Sequence, residues 1–100
     1  MLTRELLAQY FNQLLESGSF EDYAPNGLQV EGQLNIKKLA FSVSATQESI
    51  QAAIEWGAHG LVVHHGLFWK HQGSRPLTGG WGQRVSLAVR AELNVYAYHL

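Results

Sequence analysis

The sequence contains no cysteine, only two prolines and few charged residues. The absence of cysteine excludes a disulfide framework and every zinc site that is built on thiolates. Any metal site must therefore use histidine, aspartate, glutamate or water as ligands. The formal net charge of -1 gives no electrostatic basis for binding a nucleic-acid backbone or an anionic membrane surface.

Long hydrophobic runs are also missing. No apolar segment approaches the roughly 20 residues that a membrane-spanning helix needs, and the start of the chain, residues 1–5, lacks the pattern of a signal peptide. We therefore expect a cytoplasmic protein with no membrane partner. Hydrophobic residues make up 46% of the chain and charged residues only 15%. This composition suffices for one small core and predicts that part of the surface is buried against a partner or a further domain.

The first third of the chain is predicted to contain a helix followed by a loop. Leucines and aromatic residues recur at three- and four-residue intervals over residues 2–15 and give one apolar stripe, and Gly18 ends this pattern. Residues 19–33 read as a loop, in which the alternation of Leu28 and Val30 with polar neighbours favours a short strand.

A strand and a capped helix are predicted next. Apolar residues alternate over residues 39–45, which indicates a strand, and we expect it to be the first core strand. Either Ser44 or Thr46 caps the following helix, and Ser44 with Gln47 fits a capping box. Gly57 is expected to close this helix.

The remaining elements complete a β-α-β unit and extend the sheet. Residues 61–63 form a short apolar strand, a polar loop covers residues 71–82, and helical spacing follows over residues 85–92, with Asn94 as a plausible stop. A third strand is predicted from Val95 to the end of the chain. The predicted fold is α/β, a mixed sheet with flanking helices, in a single partial domain that spans the whole chain.

Two adjacent histidines, His64 and His65, stand where the predicted buried strand runs out. Open α/β sheets bind ligands beyond the carboxyl ends of their strands, and Gly66 permits a sharp departure of the backbone so that both rings can face one site. Neutral imidazole binds zinc, iron, copper and nickel and is serviceable for manganese. The pair suits one ligand to each of two neighbouring ions better than chelation of one ion. A polar strand end without a ligand explains the same spacing.

The other three histidines differ in their predicted positions. His99 lies in the predicted last strand and approaches the histidine pair if the two strands are neighbours; the alternative is a half-buried ring bonded to backbone. His59 belongs at the opposite end of its strand, on the surface, and His71 is expected to be solvated in a loop. Ser44 and Thr46 end the first predicted strand and could face the site, although helix capping explains both.

Several further residues allow two interpretations. Trp69 and Lys70 follow the histidine pair and could stack on a base and contact a phosphate, although burial is the more common role of such a tryptophan. Asn26 and Gln29 fit either turn chemistry or substrate contact. The glycine-rich segment 79–82 lacks a preceding strand and a Lys-Ser or Lys-Thr pair, so it is only a weak nucleotide signal.

Three segments together closely resemble one known family: Tyr23-Ala24-Pro25-Asn26-Gly27-Leu28-Gln29-Val30, Val63-His64-His65-Gly66-Leu67-Phe68-Trp69-Lys70 and Tyr98-His99-Leu100. The family is that of the type-two GTP cyclohydrolase homologues, also called the Nif-three-like proteins, and the chain resembles the amino-terminal part of a member. The resemblance implies an α/β fold, a toroidal homohexamer and two divalent metal ions per subunit, with zinc, iron or manganese as the expected metals.

The resemblance also implies roles for individual residues. His64 and His65 match metal ligands of the family, and His99 is expected to be catalytic by holding or shuttling a proton. The family's remaining ligands, an aspartate, a histidine and a glutamate, lie beyond the position of Leu100. We therefore expect this chain by itself to be inactive.

The expected function of the intact protein is that of a dinuclear-metal-dependent hydrolase that acts on a nucleotide-like substrate, as the family name implies for GTP. In such chemistry a divalent ion lowers the pKa of water toward neutrality. The alternative is a metal-stabilised oligomeric binding or adaptor protein without turnover. Low charge and exposed aromatic residues would suit the large interface of such a protein.

Overall fold

The structure is a computed structural model that describes residues 1–16, 26–69 and 72–99. Its elements in chain order are α1 (Arg4–Leu14), β1 (Gly27–Val30), β2 (Leu39–Ser44), α2 (Gln47–Trp56), β3 (Gly60–His65), α3 (Gly79–Arg90) and β4 (Asn94–Ala97). The strands form one sheet in the order β1-β4-β3-β2. Strands β2, β3 and β4 run parallel, and β1 pairs with β4 in the antiparallel direction. The predicted α/β class, the mixed sheet and the β-α-β unit are confirmed.

Strand β4 lies inside the sheet and separates two apolar clusters. Val95 and Ala97 belong to the larger cluster, which also contains buried residues of α2 and α3. Tyr96 and Tyr98 belong to the smaller cluster, to which α1 contributes Leu7. Because neighbouring strand residues point to opposite faces, α1 covers one face of the sheet, and α2 and α3 cover the other. None of the helices in the described segments is long and apolar enough to cross a membrane.

Helix α1 begins later than its apolar pattern predicts. Thr3 is the N-cap, and its hydroxyl accepts a hydrogen bond from the backbone N–H three residues on. Only Leu7 is fully buried, and Phe11 packs edge-on against Tyr98 with ring centroids 5.6 Å apart. Other members of the predicted stripe remain 50 to 59% exposed: Leu6, Tyr10 and Leu14. The apolar face of α1 that packs against the sheet is therefore narrower than the sequence pattern predicted. The predicted end at Gly18 lies outside the described residues.

The region between α1 and α2 differs from the prediction in two ways. Strand β1 occupies residues 27–30, so the favoured short strand is confirmed and the predicted loop 19–33 is wrong over that part; residues 19–25 lie outside the described segments. Strand β2 is an edge strand and not the first core strand. Its Phe41 and Val43 side chains are each 68% exposed, because α1 packs over the β1 and β4 side of the sheet.

Helix α2 is capped at both ends by local chemistry. Thr46 is the N-cap: its hydroxyl accepts from the Ser49 N–H at 3.0 Å, and the Ser49 hydroxyl accepts from the Thr46 N–H at 2.9 Å. The capping box predicted from Ser44 and Gln47 is therefore wrong, since Ser44 is still part of β2. Gly57 closes the helix in the left-handed conformation with φ of 84°, as predicted.

Helix α3 begins at Gly79, so the predicted loop over residues 71–82 is wrong for its last four residues. Glycines carry no side chain, so this first turn has no apolar periodicity to read. Gly82 is needed there because a Cβ atom at this position would lie 2.8 Å from the carbonyl oxygen of Leu77. Glu92, predicted to be helical, lies beyond the helix with φ of 54°.

Strand β4 is shorter than the predicted strand 95–100, and its first residue is Asn94. Asn94 is fully buried. Its Nδ2 atom donates to the carbonyls of Gln33 at 2.8 Å and His59 at 3.0 Å, and its Oδ1 accepts from the Gly32 N–H at 2.7 Å. The residue therefore ties the start of the strand to two neighbouring segments, a role beyond the predicted helix stop.

Candidate metal centre

Three histidines converge at the carboxyl edge of the parallel strands. His64 and His65 are the last residues of β3, and His99 follows the end of β4 at Ala97. Because β3 and β4 are parallel neighbours, their carboxyl ends meet at one edge of the sheet. One ring nitrogen from each histidine lies within 4.8 Å of the others, and the described residues contain no second cluster of this kind. The predicted approach of His99 to the pair is confirmed.

The three rings lie against one another. The centroids of His64 and His65 are 4.5 Å apart with an angle of 63° between the rings. His64 stacks on His99 at 4.5 Å and 26°, and His65 lies 5.3 Å from His99. Strand pairing continues as far as His65 opposite Ser44, so the backbone does not leave the sheet before the second histidine. Both rings can still approach each other because the sheet ends at this point.

Outer hydrogen bonds orient the paired rings. The Nδ1 atom of His64 lies 3.2 Å from the carbonyl oxygen of Tyr98. Because a carbonyl can only accept, Nδ1 is the donor in this contact, and the neutral tautomer that satisfies it leaves the Nε2 lone pair available to a metal ion. The Nδ1 atom of His65 lies 3.2 Å from the hydroxyl of Ser44, which therefore does face the site. Partners of this kind fix the tautomer and orientation of histidines that bind metals.

Asn26 and Gln29 contact the backbone on either side of the histidine cluster. The Oε1 atom of Gln29 accepts from the N–H groups of Leu67 at 2.7 Å and Phe68 at 3.3 Å, and Nε2 donates to the Phe68 carbonyl at 3.3 Å. The Oδ1 atom of Asn26 accepts from the His99 N–H at 2.9 Å. The sequence offered turn chemistry or substrate contact for these residues, and it did not reveal this tertiary role.

Gly66 is required because there is no space for a side chain at this position, and not because its backbone adopts a positive φ. The described glycines with positive φ are Gly27, Gly57, Gly73 and Gly79, so the predicted conformational role of Gly66 is wrong. A Cβ atom at residue 66 would lie 2.6 Å from the Cβ of Ala97 and would overlap the side-chain amide oxygen of Gln29.

An aromatic side chain borders the cluster. The Trp69 ring is 5.3 Å from His99 at an angle of 79° and 6.1 Å from His65. The preceding residue, Phe68, packs edge-on against Trp81 at 5.5 Å, and the Trp81 indole N–H donates to the Leu67 carbonyl. This packing fixes the loop that carries Trp69. The neighbouring Lys70 and His71, which the sequence offered as substrate-contacting or solvated residues, lie outside the described segments.

His59 lies at the opposite end of the strand, as predicted. Its Nδ1 atom accepts from the N–H groups of Lys37 at 2.8 Å and Lys38 at 3.3 Å. The residue is only partly exposed and stabilises the turn before β2, which the surface interpretation missed.

The fold and the site together define an α/β protein with a histidine cluster at the carboxyl edge of its parallel strands. Residues 2–100 match the sequence profile of the family described as Duf34/NIF3 (NGG1p interacting factor 3). The chain belongs to this family.

Curated relatives agree with this assignment. The chain is 45% identical over 94 residues to a GTP cyclohydrolase 1 type 2 homolog from Haemophilus influenzae, a match that covers 94% of this chain and 37% of the relative. A protein of the same name from Vibrio cholerae is 43% identical over 94 residues, with the same coverage. The chain thus spans about two fifths of the length of the curated relatives it matches. The family resemblance seen in the sequence is confirmed.

Solved structures show the same fold. A protein named ybgI superposes with a TM-score of 0.91 and 37% identity, covering 98% of this chain and 39% of its own. A Thermus thermophilus protein gives a TM-score of 0.92 with 34% identity and covers 99% of this chain and 40% of its own. Reduced HcgD from Methanocaldococcus jannaschii, at 20% identity and a TM-score of 0.82, with 96% of this chain and 39% of its own covered, is similar in fold alone.

Proposed function

We propose that this chain forms the metal-binding part of a dinuclear-metal-dependent hydrolase that acts on a nucleotide-like substrate. His64 and His65 are the proposed ligands, one to each of two divalent ions. The observation that supports this most directly is the convergence of three imidazoles whose ligand atoms lie within 4.8 Å of one another. The donor set fits, because neutral ring nitrogens are suitable ligands for zinc, iron and manganese.

The surrounding residues have distinct proposed roles. A bound divalent ion supplies Lewis-acid activation of water at neutral pH. The Tyr98 carbonyl and the Ser44 hydroxyl orient the two ligand rings through their Nδ1 atoms. His99, stacked on His64, is proposed to hold or transfer a proton at a ring nitrogen.

The metal assignment is tested by measuring the metal content of the intact protein. We expect His64→Ala and His65→Ala each to lose one of the two ions, because each removes one ring nitrogen from the cluster. His59→Asn is the matched control, since it changes a histidine at the other end of the same strand and keeps an acceptor for the backbone N–H groups. Unchanged metal stoichiometry in both alanine variants would refute the assignment.

A second candidate is a non-catalytic, metal-stabilised oligomeric binding or adaptor protein. The exposure of Phe41 and Val43, each 68%, on an edge strand favours an interface of this kind. A toroidal homohexamer of the intact protein, in the cytoplasm, is the proposed assembly for either candidate.

The two candidates are distinguished by incubating the metal-loaded intact protein with GTP and a panel of other nucleotides. Ring-opened or dephosphorylated products that disappear in His99→Ala, with metal retained, would support the hydrolase. Complete absence of product from protein with full metal content would favour the adaptor.

A further inference from the structure

We propose that Asn26 and Gln29 are positioning residues that fix the geometry of the metal site. They lie three residues apart in one short segment, residues 26–29, and contact the backbone next to His65 and at His99. This inference rests on the proposed metal-binding function and adds two residues that contact the backbone beside the proposed ligands.

Gln29 holds the segment that directly follows His65. Its Oε1 atom accepts two successive backbone N–H groups, those of Leu67 and Phe68, so the amide acts as a clamp on this turn. The amide lies so close to Gly66 that no side chain fits at that residue. A displacement of Gln29 would therefore release the backbone within two residues of a proposed ligand.

Asn26 holds the other side of the cluster. Strand pairing between β1 and β4 begins with Gly27 opposite Ala97, so the residues after Ala97 have left this ladder. Beyond the end of this ladder, the Asn26 side chain accepts a hydrogen bond from the His99 N–H at 2.9 Å and so joins the two segments once more. This bond fixes the backbone from which the third imidazole projects.

The two contacts come from one segment that is anchored to β4. Gly27, Leu28 and Val30 pair with β4, and the register is irregular at Gln29, between Leu28 and Val30. An irregularity of this kind re-aims a side chain, here toward the loop after His65, while the paired residues on either side of Gln29 hold its backbone in place. In both contacts an amide oxygen accepts backbone N–H groups, and the Gln29 amide also donates to the Phe68 carbonyl.

The experiment compares variants that remove the acceptor with variants that keep it. Zn²⁺ affinity of the intact protein is measured by calorimetry, and the visible spectrum of the Co²⁺-loaded form reports ligand geometry. We expect Gln29→Met and Asn26→Leu to weaken Zn²⁺ binding by roughly 10- to 100-fold, the usual effect of losing an outer partner of a metal site, and to change the Co²⁺ spectrum. Asn26→Asp keeps the acceptor oxygen and should bind at least as tightly as the wild type. Gln29→Glu keeps the acceptor for the Leu67 and Phe68 N–H groups but loses the donor to the Phe68 carbonyl, so its affinity should lie between those of the wild type and Gln29→Met.

The controls separate positioning from general stability. Gln51→Met removes an exposed amide on α2 that contacts Glu55, and it should change neither affinity nor spectrum. If Gln29→Met does not fold, Gln29→Asn, which keeps an amide but shortens its reach, must show the same loss of affinity.

Each outcome decides between the two hypotheses. Wild-type affinity and spectrum in the Met and Leu variants would overturn the positioning role and leave the proposed function intact. An Asn26→Asp variant that binds as weakly as Asn26→Leu would also overturn it. A wild-type protein that binds neither Zn²⁺ nor Co²⁺ would overturn both proposals.

Discussion

At the scale of single residues, the site depends on small side chains as much as on the histidines. Gly66 leaves the space that the Gln29 amide occupies, and Ala97 borders the same space from β4. The amide reaches across 38 residues of sequence to the Leu67 N–H. No local pattern in the chain could show this contact, although the two histidines themselves are visible from their spacing.

Gly66→Ala is expected to impair both folding and metal binding. The added Cβ would meet Ala97 at 2.6 Å and force the Gln29 amide out, and overpacking of this kind typically costs about 1–3 kcal/mol. We expect the free energy of unfolding, measured by urea denaturation, to fall by roughly that amount, together with Zn²⁺ affinity. Gly80→Ala is the matched control: its nearest neighbour would lie 3.6 Å away, so stability should stay constant or rise slightly. A neutral Gly66→Ala variant would contradict the packing argument.

At the scale of elements, the connection between β2 and α2 contributes to the site. Ser44 ends β2 and contacts His65, and its carbonyl accepts a hydrogen bond from the Ser49 hydroxyl at 2.8 Å. Ser49 is also the second member of the capping box with Thr46. The start of the helix and the residue that orients a proposed ligand are therefore joined by one hydrogen-bond network.

Thr46→Ala should destabilise the protein by about 1 kcal/mol, the usual cost of losing an N-cap side chain. The physical reason is that the Ser49 N–H loses its acceptor at the first turn of α2. Chemical denaturation followed by circular dichroism measures the change. Gln47→Ala is the control and should leave stability nearly unchanged. The Gln47 side chain is exposed, and the capping box that the sequence suggested between Ser44 and Gln47 does not form. Equal losses in the two variants would argue against the observed cap.

At the scale of the whole molecule, α1 is attached to the sheet over two buried tyrosines. The Tyr96 hydroxyl donates to the Arg4 carbonyl at 3.0 Å, and the Tyr98 hydroxyl donates to the Asn12 side chain at 3.2 Å. Burial raises the pKa of Tyr98 to about 12. Burial, with smaller contributions from Tyr98 and Glu5 and opposed by Arg4, raises the pKa of Tyr96 well above its usual value.

These pKa shifts predict that stability falls in alkaline solution. Below pH of about 10 both tyrosines are protonated in the folded and unfolded states, so they add no pH dependence. Above about 10 the unfolded chain releases its tyrosine protons while the folded protein retains them, so unfolding becomes easier by roughly 1 kcal/mol per pH unit for each tyrosine. For Tyr98 this loss continues until pH of about 12.

The measurement is a series of denaturation curves between neutral pH and pH of about 11. Tyr98→Phe should make the alkaline decline less steep, because the group that titrates is gone. Tyr10→Phe, which changes a tyrosine that is 57% exposed, should leave the slope unchanged. A decline that is as steep in Tyr98→Phe as in the wild type would show that this tyrosine does not cause it.

The sequence by itself determined the α/β class, the β-α-β unit with Gly57 at its helix end, and the position of His64 and His65 at the end of a strand. These features follow from periodicity, local capping chemistry and the family motifs, all of which act over short stretches of chain. The predictions from sequence patterns were wrong at the start of α3, where glycines removed the apolar periodicity. They were also wrong for β2, because the exposure of its side chains depends on its place at the edge of the sheet.

Only the tertiary structure decided how the site is assembled. The sheet order brings His99 beside His64, and the same order lets Asn26 and Gln29 reach backbone groups 73 and 38 residues away. Such contacts depend on the pairing of β1, β3 and β4, which no single segment encodes. The physical reason is that a side-chain hydrogen bond requires its donor and acceptor to lie about 3 Å apart, and chain segments this distant in sequence meet only after the sheet has formed.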